Sequence, residues 1–297
     1  MKVAVTGASG FIGRHLVREL AASGHDVVAV SRQGTPPPGA ERHCCGDVRA
    51  EDTWRCVGAV DAIVHLAGLS DASLSHERPL EYNAVNAMGA LVGLEAARRL
   101  GARFLLASSQ RVYRSSREPL AEHDPLEPVD PYGYSKLVAE QWVSMYHRLF
   151  GLPATVLRFF SVYGPGQIAG GGSSGVVALF AARALRGDDL FVHSQAWRDF
   201  TYVGDVVAGI RLALENPRAI GGVYNVATGT ATATEELAMA VVAATGSRSA
   251  IRTEHRDDCG ESYVANISKA RGDLGYEPAV PLRKGLERYA EWLRGQR

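Results

Sequence analysis

Three glycines set three residues apart, Gly7, Gly10 and Gly13, stand between an apolar run (Lys2-Val3-Ala4-Val5-Thr6) and the start of a helical pattern. At such a junction the first glycine permits the tight turn, the second lets backbone approach a pyrophosphate, and the third lets helix and strand pack closely. The helix N-terminus adds N–H donors and a positive dipole end. The spacing is GxxGxxG and not the simpler GxGxxG, but its place at the first strand–helix turn points to a dinucleotide. Which dinucleotide depends on the end of the second strand, where an acid usually accepts hydrogen bonds from the ribose 2′-hydroxyl. Here Val27-Val28-Ala29-Val30 ends in Ser31-Arg32. A hydroxyl and a guanidinium attract a 2′-phosphate, so NADP(H) is favoured, with NAD(H) the alternative if Arg32 is only a solvated loop charge. Asp47, after the third strand, suits either the adenine amino group or a helix N-cap.

A second constellation handles protons. Tyr132 and Lys136, spaced i to i+4 at the start of a helical pattern after Asp130-Pro131, share one helix face. There an ammonium can lower the phenol pKa from its usual ~10 toward neutrality. Tyr134 cannot substitute, because its i+4 neighbour is Val138. A core tyrosine beside a surface lysine is the plainer reading of such a pair. Ser109 tips the balance: it lies just past a predicted strand, placed to hydrogen-bond the oxygen that Tyr132 would protonate or deprotonate.

These residues need a frame. Strands are predicted near 2–6, 26–31, 41–45, 61–66, 102–107 and 154–158, with helices near 11–23, 82–100 and 134–149 between them. Such alternation implies an α/β fold, a doubly wound parallel sheet of Rossmann type. The run 166–175 breaks the rhythm. Beyond it, helices near 176–186, 204–215, 234–246 and 283–294 mix with short strands, as in a smaller mixed α/β substrate lobe. The expected division is 1–165 for the dinucleotide-binding domain, with a later strand near 223–226 returning to it, and 166–297 for the lobe. In open α/β sheets ligands bind beyond the carboxyl ends of the strands. The residues there, Gly7, Ser31-Arg32, Asp47, Ala67-Gly68, Ser108-Ser109 and Ser161, are small or polar throughout.

Composition sets outer limits. The chain has 297 residues, 46% hydrophobic and 22% charged, which excludes a disordered chain. Its 32 Lys+Arg balance 32 Asp+Glu, which argues against nucleic acid as a partner. No apolar run reaches the ~18 residues of a membrane span, and a strand at the very start leaves no room for a signal peptide. Four cysteines show neither CxxC spacing nor a repeated framework. No disulfide scaffold and no metal site are therefore expected, and the expected location is cytoplasmic.

Further motifs join those above: His65-Leu66-Ala67-Gly68, Asn83-x-x-Asn86, Ser108-Ser109-x-x-Val112-Tyr113, Val162-Tyr163-Gly164-Pro165 and Arg198-Asp199-Phe200-x-Tyr202-Val203-x-Asp205. With them the chain resembles the extended short-chain dehydrogenases/reductases of the NAD-dependent epimerase/dehydratase family, the branch that modifies nucleotide sugars. The resemblance implies that Tyr132 is the general acid/base, that Lys136 lowers its pKa and holds the nicotinamide ribose, and that Ser109 binds the reacting oxygen. It implies that Gly7, Gly10, Phe11, Ile12 and Gly13 cradle the pyrophosphate, Asp47 and Val48 the adenine, and Ala67 and Gly68 the middle of the cofactor. Asn86 is expected to be structural and His65 a packed strand residue. Arg198 and Arg256 resemble arginines that hold the substrate diphosphate. As alternatives, Arg198 could pair with Asp199, and Arg256 could form a surface salt bridge among Glu254, Asp257 and Asp258.

Departures from the family pattern narrow the reaction. Ser161 replaces a usual asparagine, and Gln110-Arg111 stand where sugar 4,6-dehydratases carry an acidic pair. Gln110 and Ser161 remain candidate substrate contacts, but water elimination needs an acid and a base there, which disfavours a dehydratase. Two enzymes remain: a 4-ketoreductase using exchangeable NADPH, favoured because of Ser31-Arg32, and a nucleotide-sugar 4-epimerase with tightly bound NAD. A non-catalytic dinucleotide sensor is the outside possibility. Apolar faces near 82–100 and 134–149 suggest a homodimer.

Overall fold

The computed structural model describes residues 1–32, 35–170, 175–193, 195–253 and 260–296. Six strands alternate with helices in its first part: β1 (Lys2–Thr6), α1 (Phe11–Ala22), β2 (Asp26–Ser31), β3 (Arg42–Cys45), α2 (Glu51–Val57), β4 (Ala62–His65), α3 (Ala72–Ser75), α4 (Pro79–Tyr82), α5 (Gly89–Leu100), β5 (Arg103–Ser109), α6 (Pro131–Phe150) and β6 (Ala154–Phe159). The second part contains β7 (Val162–Tyr163), α7 (Val176–Arg186), β8 (Leu190–Val192), β9 (Trp197–Arg198), β10 (Thr201–Tyr202), α8 (Val203–Glu215), β11 (Val223–Val226), β12 (Thr232–Ala233), α9 (Thr234–Thr245), β13 (Ile251–Thr253), α10 (Ser268–Leu274) and α11 (Leu282–Arg294).

Seven strands form one parallel sheet in the order β11-β6-β5-β4-β1-β2-β3. The chain runs outward from β1 through β2 to β3, then returns to the other side of β1 with β4, so a switch point opens between β1 and β4. Register levels the strand ends there: Thr6 is opposite Val30 on β2 and His65 on β4. Side-chain alternation feeds two cores. Val3 and Val5 pack toward α1, α8 and α10, whereas Ala4 and Val28 pack toward Trp54 of α2, Leu94 of α5 and Val143 of α6. A third core joins Phe180 of α7, Leu237 of α9 and Leu286 of α11 in the lobe. As expected, the strand at 223–226 lies in the sheet, beside β6.

The differences from expectation are local. Residues 83–88 form a π-helical turn ahead of α5, a feature that often accompanies functional sites. Helix α2 was not foreseen, because seven residues carry too little periodicity; tertiary bonds hold it. Trp54 donates its indole N–H to Val48 O at 2.8 Å, and Cys56 is joined to Cys44 of β3 by a disulfide. Spacing gave no sign of this bond, since proximity here comes from packing a helix on a strand, and the bond removes the cysteine argument for a reducing, cytoplasmic location. It is no scaffold: Cys45 is free and exposed, and Cys259 lies outside the described residues. Among the described residues no helix is long and apolar enough to cross a membrane, and no cluster of metal-ligating side chains occurs.

Candidate active site

The glycine turn is shaped by steric necessity at two positions. Gly7 has φ +67°, a left-handed conformation that favours glycine. A Cβ on Gly13 would stand 2.1 Å from Gly7 O, so only glycine lets α1 lie this close to β1. No side chain caps the N-terminus of α1, which leaves its first amides facing a cavity of about 510 Å³. Every described residue expected to touch the cofactor lines this cavity: Gly7, Gly10, Phe11, Ile12 and Gly13 from the turn, Ser31 and Arg32 after β2, Asp47 and Val48 after β3, Ala67 and Gly68 after β4, and Tyr132 with Lys136. The uncapped helix end, the glycine cradle and the ring of strand-end residues fit a dinucleotide.

Two expectations about the cavity rim change in detail. Asp47 caps no helix; its carboxylate accepts from Arg49 N (2.9 Å), Nε (2.9 Å) and Nη2 (2.7 Å). Arg49 first, with help from Arg32, holds its pKa down at about 2. Ser31 is hydrogen-bonded to His43 Nε2 at 3.0 Å. The Asp47 carboxylate is thus answered by Arg49, with Arg32 a smaller influence on it.

The loop after β4 is pinned by Asn86, whose Oδ1 accepts from Leu69 N (2.8 Å) while Nδ2 donates to Leu69 O (3.0 Å) and Ser135 Oγ (2.8 Å). It is structural, as expected. So is His65: it is buried, stacked on Phe104 and bonded to Thr6 Oγ1 at 3.1 Å, with burial pushing its pKa down to about 3.

Helix α6 presents Tyr132 and Lys136, the pair expected to handle protons. Asp130 caps it by accepting from Gly133 N at 2.7 Å, and Pro131 opens its first turn. Gly133 is required for contact with the turn after β5, since a Cβ there would lie 2.3 Å from Arg111 O. Tyr132 and Lys136 are both buried. Burial pushes the Tyr132 pKa up, opposed by a hydrogen bond with Ser109 and by the Arg111 guanidinium; the Asp130 carboxylate adds to the rise. Lys136 donates to Ala107 O at 2.9 Å, so its ammonium is directed at backbone and not at the phenol. Burial brings its own pKa down to about 8, against the pull of Glu140.

A second cavity, of about 420 Å³, adjoins the first; Phe11, Ile12, Ser70, Ser108, Tyr132 and Phe159 line both. Ser109, Gln110, Ser161 and Arg198 line the second. Arg198 does not pair with Asp199, the alternative raised above. Asp199 is saturated by Thr228 N (2.9 Å), Thr228 Oγ1 (2.6 Å) and Gly229 N (2.8 Å). Arg198 instead lies over the Tyr263 ring at 5.1 Å, with Nη1 lacking a partner among the described residues. Arg256 falls outside the described residues.

The sequence reading missed two parts of this site. Arg111 pairs with Asp130 (3.2 Å) and Glu261, tying the cap of α6 to the lobe. Glu140, one turn beyond Lys136 on the same face, accepts from Ser108 and binds Arg158 through Nε (3.0 Å) and Nη2 (2.6 Å). Its i+4 spacing from Lys136 was the available signal.

Comparison with known proteins supplies the family. A model of the NAD dependent epimerase/dehydratase family matches residues 3–227, across both cavities. The chain belongs to this family. It is an enzyme of the extended short-chain dehydrogenase/reductase type that acts on nucleotide sugars. The chain is 32% identical over 319 residues to the UDP-glucose 4-epimerase of Mycolicibacterium smegmatis, an alignment covering 100% of this chain and 99% of that protein. The crystal structure of UDP-glucose 4-epimerase with UDP-glucose from Thermotoga maritima superposes with a TM-score of 0.92 at 30% identity, covering 100% of this chain and 99% of the other. The UDP-glucose 4-epimerase of Thermus thermophilus in complex with NAD gives 0.88 at 31%, covering 99% of each chain.

These comparisons correct the cofactor. NAD is the dinucleotide in the Thermus structure and also in similar structures that hold UDP-glucuronic acid or UDP-glucose. NAD, and not NADP(H), is therefore the supported cofactor. The preference for a ketoreductase rested on Ser31-Arg32 and loses its basis.

Proposed function

We propose that this protein is a nucleotide-diphosphate-sugar 4-epimerase that retains NAD through its catalytic cycle. The observation that carries the reading is the place of Tyr132: it borders both the dinucleotide cavity and the second cavity, which Ser109 also lines. In this reading Tyr132 removes the proton of the sugar 4-hydroxyl while Ser109 holds the same oxygen, and Tyr132 returns the proton after the ring has presented its other face. Bound NAD supplies the hydride acceptor and donor, and its positive ring draws the phenol pKa down from its raised value. Lys136, fixed on Ala107 O and separated from Gly68 by little more than contact distance, holds the nicotinamide ribose. Gln110 and Ser161 face the sugar and Arg198 the diphosphate, where a guanidinium without a carboxylate partner among the described residues suits a charge near −2. The similar epimerases named above support this choice.

The same proposal assigns 1–165 to the cofactor domain and 166–297 to the substrate lobe, and makes the working unit a homodimer. To test the activity, purified protein is denatured to release NAD for quantification and, separately, incubated with UDP-glucose and UDP-galactose. Stoichiometric NAD and interconversion without net nicotinamide oxidation or reduction are expected. Purification without NAD, together with net oxidation of reduced nicotinamide by a 4-keto sugar nucleotide, would overturn the reading.

A further inference from the structure

Helix α1 carries a polar device besides its N-terminus. His15 lies four residues beyond Phe11 on one helix face, half-buried, with the Phe11 ring edge-on to it at 6.1 Å. Its Nε2 is 2.7 Å from Pro165 O, 150 positions along the chain. A carbonyl only accepts, so Nε2 carries the proton; burial, the leading influence, holds the imidazole pKa below its usual value. Gly166 comes next, at φ +93°. A Cβ there would meet Arg14, Phe11 and His15 at 3.4, 3.6 and 3.7 Å, so the backbone of this turn lies against the same face of α1.

The far end of the turn belongs to the substrate side. Gln167 N donates to Gly164 O at 3.2 Å and closes it, while Gln167 O accepts from Tyr289 of α11 at 2.7 Å and Gln167 Nε2 donates to Val162 O at 3.2 Å. Gln167 and Val162 line the second cavity and not the dinucleotide cavity, whereas Phe11 lines both. The turn 164–167 is therefore held between a helix of the cofactor domain and a helix of the lobe, and its last residue forms cavity wall.

We infer that His15 is a positioning residue for the sugar nucleotide: by donating to Pro165 O it fixes the turn 164–167, and with it a wall of the second cavity, against the helix that receives the dinucleotide. The inference rests on the proposed function in taking the second cavity as the sugar-nucleotide site. His15 itself lines neither cavity, so it acts through Pro165 and Gln167 and not by touching a ligand. The contact that brings α1 close to β1 is made by Gly13 on Gly7, and the bond to Pro165 O is no part of it. Loss of that bond should therefore weaken substrate binding while NAD stays in place.

The test compares NAD-loaded wild type with His15→Ala, His15→Asn and His15→Gln, measuring NAD content, kcat and KM for UDP-galactose, and the Kd of UDP by calorimetry. Glutamine brings an amide N–H near the Nε2 position, whereas the shorter asparagine falls short of Pro165 O. KM and the UDP Kd are expected to rise about five- to tenfold in the Ala and Asn variants, the scale of one neutral hydrogen bond, and to return to within about twofold of wild type in His15→Gln. The kcat and the NAD content should stay close to wild type throughout. Should His15→Ala fail to fold, the contrast between Asn and Gln decides the matter. NAD loss with unchanged UDP affinity, a fall in kcat alone, or equal losses in the Asn and Gln variants overturns the inference and leaves the proposed function standing. A wild type that neither binds UDP nor interconverts sugar nucleotides overturns the proposed function itself.

Discussion

Tyr132 is buried with a raised pKa, so as the site stands the phenol is a proton donor, and an added positive charge makes it a base. Tyr132→Phe keeps the ring and its edge contact with Tyr82 but removes the exchangeable proton. Epimerisation is expected to fall by a factor of about 10²–10⁴ with NAD still bound, measured by turnover and by released cofactor. Lys136 gives a pH signature. Burial places its pKa at about 8, below the usual lysine value, so the ammonium is complete at lower pH and lost as pH rises through about 8. Turnover should decline across that range in wild type, and Lys136→Met should show a low rate without this alkaline limb. An unaltered limb in the variant would assign the titration elsewhere.

At the scale of elements, the turn between β1 and α1 and the start of α6 are both set by close backbone approach. Gly13→Ala forces a methyl against Gly7 O and has no flexible side chain to displace. We expect it to destabilise the fold by about 1–3 kcal/mol, measured as a lower denaturant midpoint, and to abolish copurifying NAD. The glycine spacing was legible in the sequence because a strand–helix junction this tight admits few residue types. The cap of α6 was legible for the same local reason, Asp130-Pro131 ahead of a helical run. Helix α2 and the Cys44–Cys56 bond were not, because seven residues carry too little periodicity and the bond forms only once α2 is packed on β3; nor was the π-helical turn.

Across the whole molecule, much of the apolar surface expected to form a dimer interface is consumed inside the monomer: Leu94, Val143 and Tyr146 belong to the core against the sheet. Met88 at the head of α5, and Leu149 and Phe150 at the end of α6, remain exposed. Arg98 covers one face of Phe150 at 5.4 Å. If these residues meet a second copy, light scattering should give a dimer mass for wild type and a concentration-dependent shift toward monomer for Leu149→Glu, with the fold unchanged by circular dichroism. A monomer in wild type would remove the proposed dimer.

The sequence by itself determined the alternation of strands and helices, the dinucleotide turn and the identity of Ser109, Tyr132 and Lys136, since these are written in periodicities and spacings of a few residues. It also contained Ser31-Arg32, but not their meaning. Only the tertiary structure paired Asp47 with Arg49, separated Arg198 from Asp199, turned the Lys136 ammonium toward Ala107 O and gave Arg111 to Asp130 and Glu261. Whether a charge is free to bind a ligand depends on which opposite charges and hydrogen-bonding groups the fold brings within a few ångströms. Sequence adjacency alone does not fix that.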